Sequence, residues 1–127
     1  MDPRTVHGAI VLVGFLPMYV AGGFGYEFPV IGFPELDPTY VSTSWMRNIL
    51  LSMSAMLFAI AMTEIRGEMS MATFVQYHWF LSAALLKWQL GDTATDMGKI
   101  MFVLPHLFTL WSTVLYLSGA GGKSKTN

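Results

Sequence analysis

The chain has 127 residues, 54% of them hydrophobic and 12% charged, with a formal net charge of -1 and a mean hydropathy of +0.51. A soluble domain carries about 25% charged residues, so half that charge over long apolar runs points to a membrane, and the near-neutral balance offers nucleic acid no basic face. The chain contains no cysteine, which excludes disulfides, thiolate metal sites, thiol redox work and iron–sulfur ligation by this chain alone.

In chain order, the first apolar run lies within "MDPRTVHGAIVLVGFLPMYVAGG". A basic residue ahead of an apolar stretch is how a signal peptide begins. Here Asp2 offsets Arg4, Pro17 interrupts the run and three more apolar segments follow. The pattern therefore predicts an uncleaved first span over about 6–23. Residues 24–44, "FGYEFPVIGFPELDPTYVSTS", hold Pro29, Pro34 and Pro38, which argue against a regular helix. This loop is aromatic and carries Glu27, Glu35 and Asp37. It reads as an interfacial anchor or as a lid over a polar cavity.

Further spans are predicted over about 45–63, 71–90 and 99–118, followed by a flexible, solvated tail over 119–127. Each is near the roughly 17–25 residues that cross a bilayer. The runs are continuous rather than alternating, so they read as helices and not as barrel strands. The expected fold is all-α: a polytopic membrane protein forming a single four-transmembrane-helix bundle. The short links 64–70 and 91–98 make sequential helices antiparallel neighbours. "EIRGE", from Glu64 to Glu68, reads as a solvated turn punctuated by Gly67. Four spans put both termini on one side, with Arg4, Arg66, Lys123 and Lys125, against Arg47, Lys87 and Lys99 on the other. Counting basic residues places both termini in the cytoplasm.

Ionisable groups within spans are costly and suggest function. Thr109, Thr113 and Tyr116 follow His106 at three- and four-residue steps, so they share a face. Asn48 and Ser52 share a face of the second helix, and His78, Ser82 and Gln89 run roughly in line on the third. These stripes are expected to point inward, either as hydrogen-bonded helix contacts, with Ala55 and Ala59 allowing close approach, or as a polar pocket. His78 and His106 differ in depth by roughly 8 Å at the helical rise, which argues against a haem held between them within one chain. The best pocket members are Arg47, Asn48, Asp92 and His106. Asp92 and His106 are the candidate catalytic acid and base. Arg47, Asn48, Glu27, His78, Trp79 and Trp111 are candidate ligand-binding residues, the two indoles offering faces to cationic character. No phosphate-binding loop, paired-histidine metal helix or nucleophile elbow is present in the sequence. No metal ligand set and no particular cofactor is indicated.

A second span opening with Arg47-Asn48, a third closing with Gly91-Asp92 and a fourth carrying His106 together resemble the pattern of small DoxX-like four-helix membrane proteins. The resemblance covers about residues 45–119, on motifs of two or three residues each. It implies a four-helix bundle and a role as a membrane oxidoreductase accessory subunit or as a small membrane enzyme for lipophilic substrates. The long aromatic loop before Trp45 is not part of that pattern.

Two functions are expected. The first is a subunit or accessory factor of a larger membrane assembly, motivated by the lack of a strong catalytic motif beside abundant Met and aromatic surface. Its partners would be the lipid bilayer and other membrane subunits, or further copies of itself. The second is a membrane-embedded isomerase or cyclase acting on a lipophilic isoprenoid or sterol-like small molecule through acid/base chemistry. A homo-oligomeric channel is a weaker third, since no span carries a filter-like pattern of charges or carbonyls.

Overall fold

The computed structural model describes residues 1–26, 44–91 and 96–120, and among these the regular structure is entirely helical. The first helix starts at Asp2, whose Oδ1 accepts the Arg4 backbone N–H at 2.9 Å, with Pro3 in the first turn. A short acceptor before a proline is a strong helix start. Arg4 also returns its guanidinium to the same carboxylate, with Nη2 2.6 Å from Oδ2. The side-chain hydrogen bonds from Arg4 are the main reason the Asp2 carboxyl is held below its ordinary range. The other terminal guanidinium nitrogen, Nη1, donates to the Met69 carbonyl at 2.6 Å.

Helix α1 (Pro3–Ile10), a wider π-helical stretch (Val11–Phe15) and α2 (Leu16–Gly23) form one unbroken rod, Pro3–Gly23. Pro17 accounts for the widening. It has no N–H for the Val13 carbonyl, and its ring crowds that oxygen. A π turn, in which Leu16 N–H donates to the Val11 carbonyl, gives the displaced carbonyls room.

Helix α3 runs Ser44–Ile65. It stops at Gly67, which adopts a left-handed φ of +71°. Glu68 N–H then donates to the Thr63 carbonyl at 2.9 Å and Gly67 N–H to the Glu64 carbonyl at 3.1 Å. This is a glycine-terminated helix end that closes its own carbonyls. Helix α4, Met71–Gln89, is capped by Ser70 Oγ, which accepts Thr73 N–H at 3.1 Å. The predicted fourth span is divided: α5 covers Asp96–Met101 and α6 covers Val103–Leu117, with Phe102 between them. Pro105 leaves the Met101 carbonyl without its helical donor, so the break falls one turn ahead of the proline.

The rod lies along α3, α4 lies along α6, and α1 also reaches α6. Chain order alone predicts α3 against α4. Their principal neighbours are instead the rod and α6, with α1 set against both pairs. Met71, Phe74, Val75 and Phe108 form the apolar core there, with Val6 and Ile10 of the rod packed on it. Close approach is made by glycine. A Cβ on Gly8 would stand 2.8 Å from the Ala61 carbonyl oxygen and 2.9 Å from Ile65 Cγ1. Ala55 and Ala59, the expected small-residue contact, are exposed.

Two helices, Pro3–Gly23 and Arg47–Ile65, are long and apolar enough to cross a membrane, each with a mean hydropathy of 1.6. Only 28% and 17% of their apolar windows are buried, whereas the core helix of a soluble protein is mostly covered. Val103–Leu117 is a shorter apolar helix.

The Gly8 contact is testable. Gly8→Ala should lower stability by about 1–3 kcal/mol, because backbone rather than a pliable side chain stands in the way. Gly14→Ala, where a Cβ meets nothing within 4 Å, should be neutral or slightly stabilising. Unfolding in detergent measures both, and equal effects would contradict the α1–α3 packing.

Candidate functional site

The most buried polar chemistry lies where α1, α3 and α4 converge. His7 Nδ1 is 2.7 Å from Glu64 Oε2, and the carboxylate is fully buried. The His7 ring stands edge-on to the His78 ring, with centroids 4.5 Å apart and planes at 84°. His78 is also fully buried, and its Nδ1 lies 2.9 Å from the Phe74 carbonyl. Aromatic rings close the cluster. Phe74 lies 4.0 Å from the His78 ring, Tyr77 lies edge-on at 5.0 Å, and Phe108 is 5.2 Å from His7.

Helical spacing produces this meeting. Arg4, His7, Gly8 and Val11 are all buried and recur at three- and four-residue steps, so they form the covered face of the rod's first turns. On α3 the buried positions Leu50, Ser54, Ala61 and Glu64 keep to one face in the same way. At 1.5 Å per residue, His7 is about 6 Å beyond Pro3 and His78 about 10 Å beyond Met71. Both helices start at the end where Arg4 holds Met69, so the two positions fall within about 4 Å of one level, near enough for the rings to meet. Glu64 reaches them from the last turn of α3.

A second polar run joins α4 to α6. The Ser82 and Thr109 hydroxyls are 2.5 Å apart, and Thr109 Oγ1 lies 3.0 Å from the His78 carbonyl. The Trp79 indole N–H donates to Thr113 Oγ1 at 2.9 Å. Further along, His106 Nε2 is 2.7 Å from Gln89 Oε1, while Gln89 Nε2 donates to the Lys99 carbonyl at 3.2 Å. Gln89 lies about 16 Å along α4 from His78, so the two histidines serve different levels of the bundle.

Of the expected inward stripes, Ser82 and Gln89 of the third helix and His106, Thr109 and Thr113 of the fourth do lie between the two helices, whereas the His78 ring turns to α1 and Tyr116 is exposed. The stripe on α3 does not join them. Asn48 and Ser52 are exposed, and Ser52 donates to its own helix at the Asn48 carbonyl, 2.8 Å away. A hydroxyl satisfied within its helix does not need an interior partner. Arg47 lies against Gly25, where an added Cβ would stand 2.9 Å from its guanidinium. Trp111 stacks on Phe108 at 5.9 Å, beside the histidine cluster. Trp79 is half-exposed. Asp92 and Glu27 lie outside the described residues, so the expected pocket that joins Asp92 to Arg47, Asn48 and His106 does too.

His7 and Glu64 were not among the sequence candidates. "EIRGE" reads as solvated, and Arg66 and Glu68 are indeed exposed, but Glu64 is not. The usable signal was its step of three from Ala61, which continues the buried face of α3. Among the described residues, no group of three or more His, Asp or Glu is placed to share a metal ion. What the cluster offers is acid–base chemistry: one carboxylate and two imidazoles inside an apolar enclosure. Comparison with known protein families, curated proteins and solved structures finds no match to this chain.

The α4–α6 contact predicts energetic coupling. A double-mutant cycle of Ser82→Ala with Thr109→Val, read by unfolding in detergent, should give about 0.6 kcal/mol or somewhat more. Additive effects would place these hydroxyls apart.

Proposed function

We propose that this chain is a four-span integral membrane protein that works as a subunit or accessory factor of a larger membrane assembly. In this reading the rod, α3, α4 and the α5–α6 unit each cross the bilayer, and both termini lie on the cytoplasmic side. The Arg4–Met69 hydrogen bond supports such a topology, because it brings the start of the chain and the α3–α4 turn to one end. The DoxX-like resemblance enters only as an architecture of four helices.

One observation carries the subunit reading. Trp79, Ser82 and Gln89 of α4 find hydrogen-bond partners on α6, while large apolar side chains stand outward. Phe80 is 83% exposed and Leu117 is 78% exposed, with Leu110 and Val114 exposed on the same helix as Leu117. Lipid covers such a surface, and so do neighbouring transmembrane helices, which associate by close packing rather than by hydrophobic force. The buried His7–Glu64–His78 group favours a second reading, an enzyme that moves protons on a lipophilic isoprenoid or sterol-like molecule.

Native mass spectrometry of the protein, extracted gently from its own membrane, separates the two. The subunit reading expects discrete partner proteins at fixed stoichiometry. A monomer or homo-oligomer that carries a lipophilic small molecule and turns it over alone would overturn it.

A further inference from the structure

The Glu64 carboxylate is fully buried and relies on His7. Nδ1 of His7 faces its Oε2 at 2.7 Å, while Oε1 has no hydrogen-bond partner. An ionised carboxylate can only accept, so Nδ1 carries the hydrogen, and Nε2 of a neutral His7 ring is a bare lone pair. In that state the pair holds one uncompensated negative charge in an apolar interior, which is costly. One more proton removes the charge. Whether the proton between Nδ1 and Oε2 then rests on nitrogen or on oxygen, Nε2 is the atom that gains a hydrogen. The two groups therefore titrate as a unit.

The surroundings favour His7 as the seat of that proton. It stands about 6 Å along α1 from Pro3, and its side chain keeps 11% exposure where Glu64 keeps none, so the medium can reach it. His78 is a poorer seat. It is fully buried, and its bonded neighbour is the Phe74 carbonyl rather than a carboxylate. Its ring centroid is 4.5 Å from that of His7, so charging both rings would set like charges together. Arg4, one turn before His7, is committed to Asp2 and to the Met69 carbonyl. Beyond Glu64 on the α3–α4 turn, Arg66 and Glu68 are exposed. Tyr77 of α4, a neutral phenol, lies within electrostatic reach of Glu64 and of Tyr19 of α2. From α6 the near side chain is Phe108.

We propose that His7 and Glu64 form a proton-binding pair at the helix junction, which takes up one proton from the medium at His7 Nε2 and balances the charge so formed with the Glu64 carboxylate hydrogen-bonded to the same ring. One N–H bond forms, and no reactant other than the proton is required. Such a pair equips the chain to accept and release a proton near the end of the bundle where Arg4 holds Met69. This role goes beyond the subunit reading and stands without it.

The test is a pH titration of the full chain in lipid nanodiscs, with nitrogen-15 in the histidine rings, followed by NMR. At high pH, His7 should show Nδ1 protonated and Nε2 bare. Lowering the pH should place a hydrogen on His7 Nε2 while His78 keeps one bare nitrogen. Glu64→Gln should weaken proton binding at His7 by about tenfold or more, because the opposite charge beside the ring is gone. Should that variant fail to fold, the native chain supplies the second readout: the Glu64 carboxyl carbon shift should change at the midpoint of the His7 transition. A His7 Nε2 that does not change its hydrogen count wherever the chain is folded, a proton taken up first by His78, a proton affinity unaltered by Glu64→Gln, or a Glu64 carbon blind to the His7 transition would each overturn the proposal.

Discussion

A carboxylate enclosed by apolar helices has to be met by a donor or a positive charge, and His7 is the group that meets Glu64. Removing one member of such a pair costs about 3–5 kcal/mol, because the other is left buried and uncompensated. That constraint fixes much of the arrangement around it. To bring an imidazole within 2.7 Å of Glu64, α1 must press closely on the end of α3, and Gly8 makes that possible by presenting no Cβ to the Ala61 carbonyl. The same ring stands edge-on to His78, so α4 is held in place by α1 as well.

The result is two helix pairs, the rod with α3 and α4 with α6, joined through the first turns of the rod. Arg4 secures that junction from outside by bonding Met69 at the α3–α4 turn. Inside it, Phe74, Phe108, Val6 and Ile10 exclude water from the polar cluster. Low polarity strengthens each contact that is made and raises the cost of each that is missed. Ionisable chemistry and apolar enclosure are in this way parts of one construction.

Much of this was legible in the sequence, and the exceptions have physical causes. Apolar runs and their punctuation gave the helices, because apolar length and helical capping are written locally. The pairing of Ser82, Thr109 and Gln89 with partners on the facing helix followed from three- and four-residue spacing. The division of the fourth span did not follow so directly: a proline marks a weakened turn without saying whether the helix bends or breaks. Glu64 was obscured by its neighbours. In a short, mixed-charge turn, local sequence does not tell which charge turns inward, and only the face shared with Ser54 and Ala61 distinguishes it from Arg66 and Glu68. His7 is obscured for a related reason: it stands near the start of its helix, whereas depth within the predicted spans singles out His78 and His106. The meeting of His7, Glu64 and His78 depends on which helices pack together, and chain order suggested a different pairing.

The His7–Glu64 contact can be measured by a double-mutant cycle of His7→Gln and Glu64→Gln, read as unfolding free energy of the full chain in detergent. A hydrogen bond to a charged group is worth about 1.5–3 kcal/mol, and a coupling in that range is the predicted result. Additive losses, with no coupling, would mean that the two side chains do not meet, and the account of the junction built on them would be wrong.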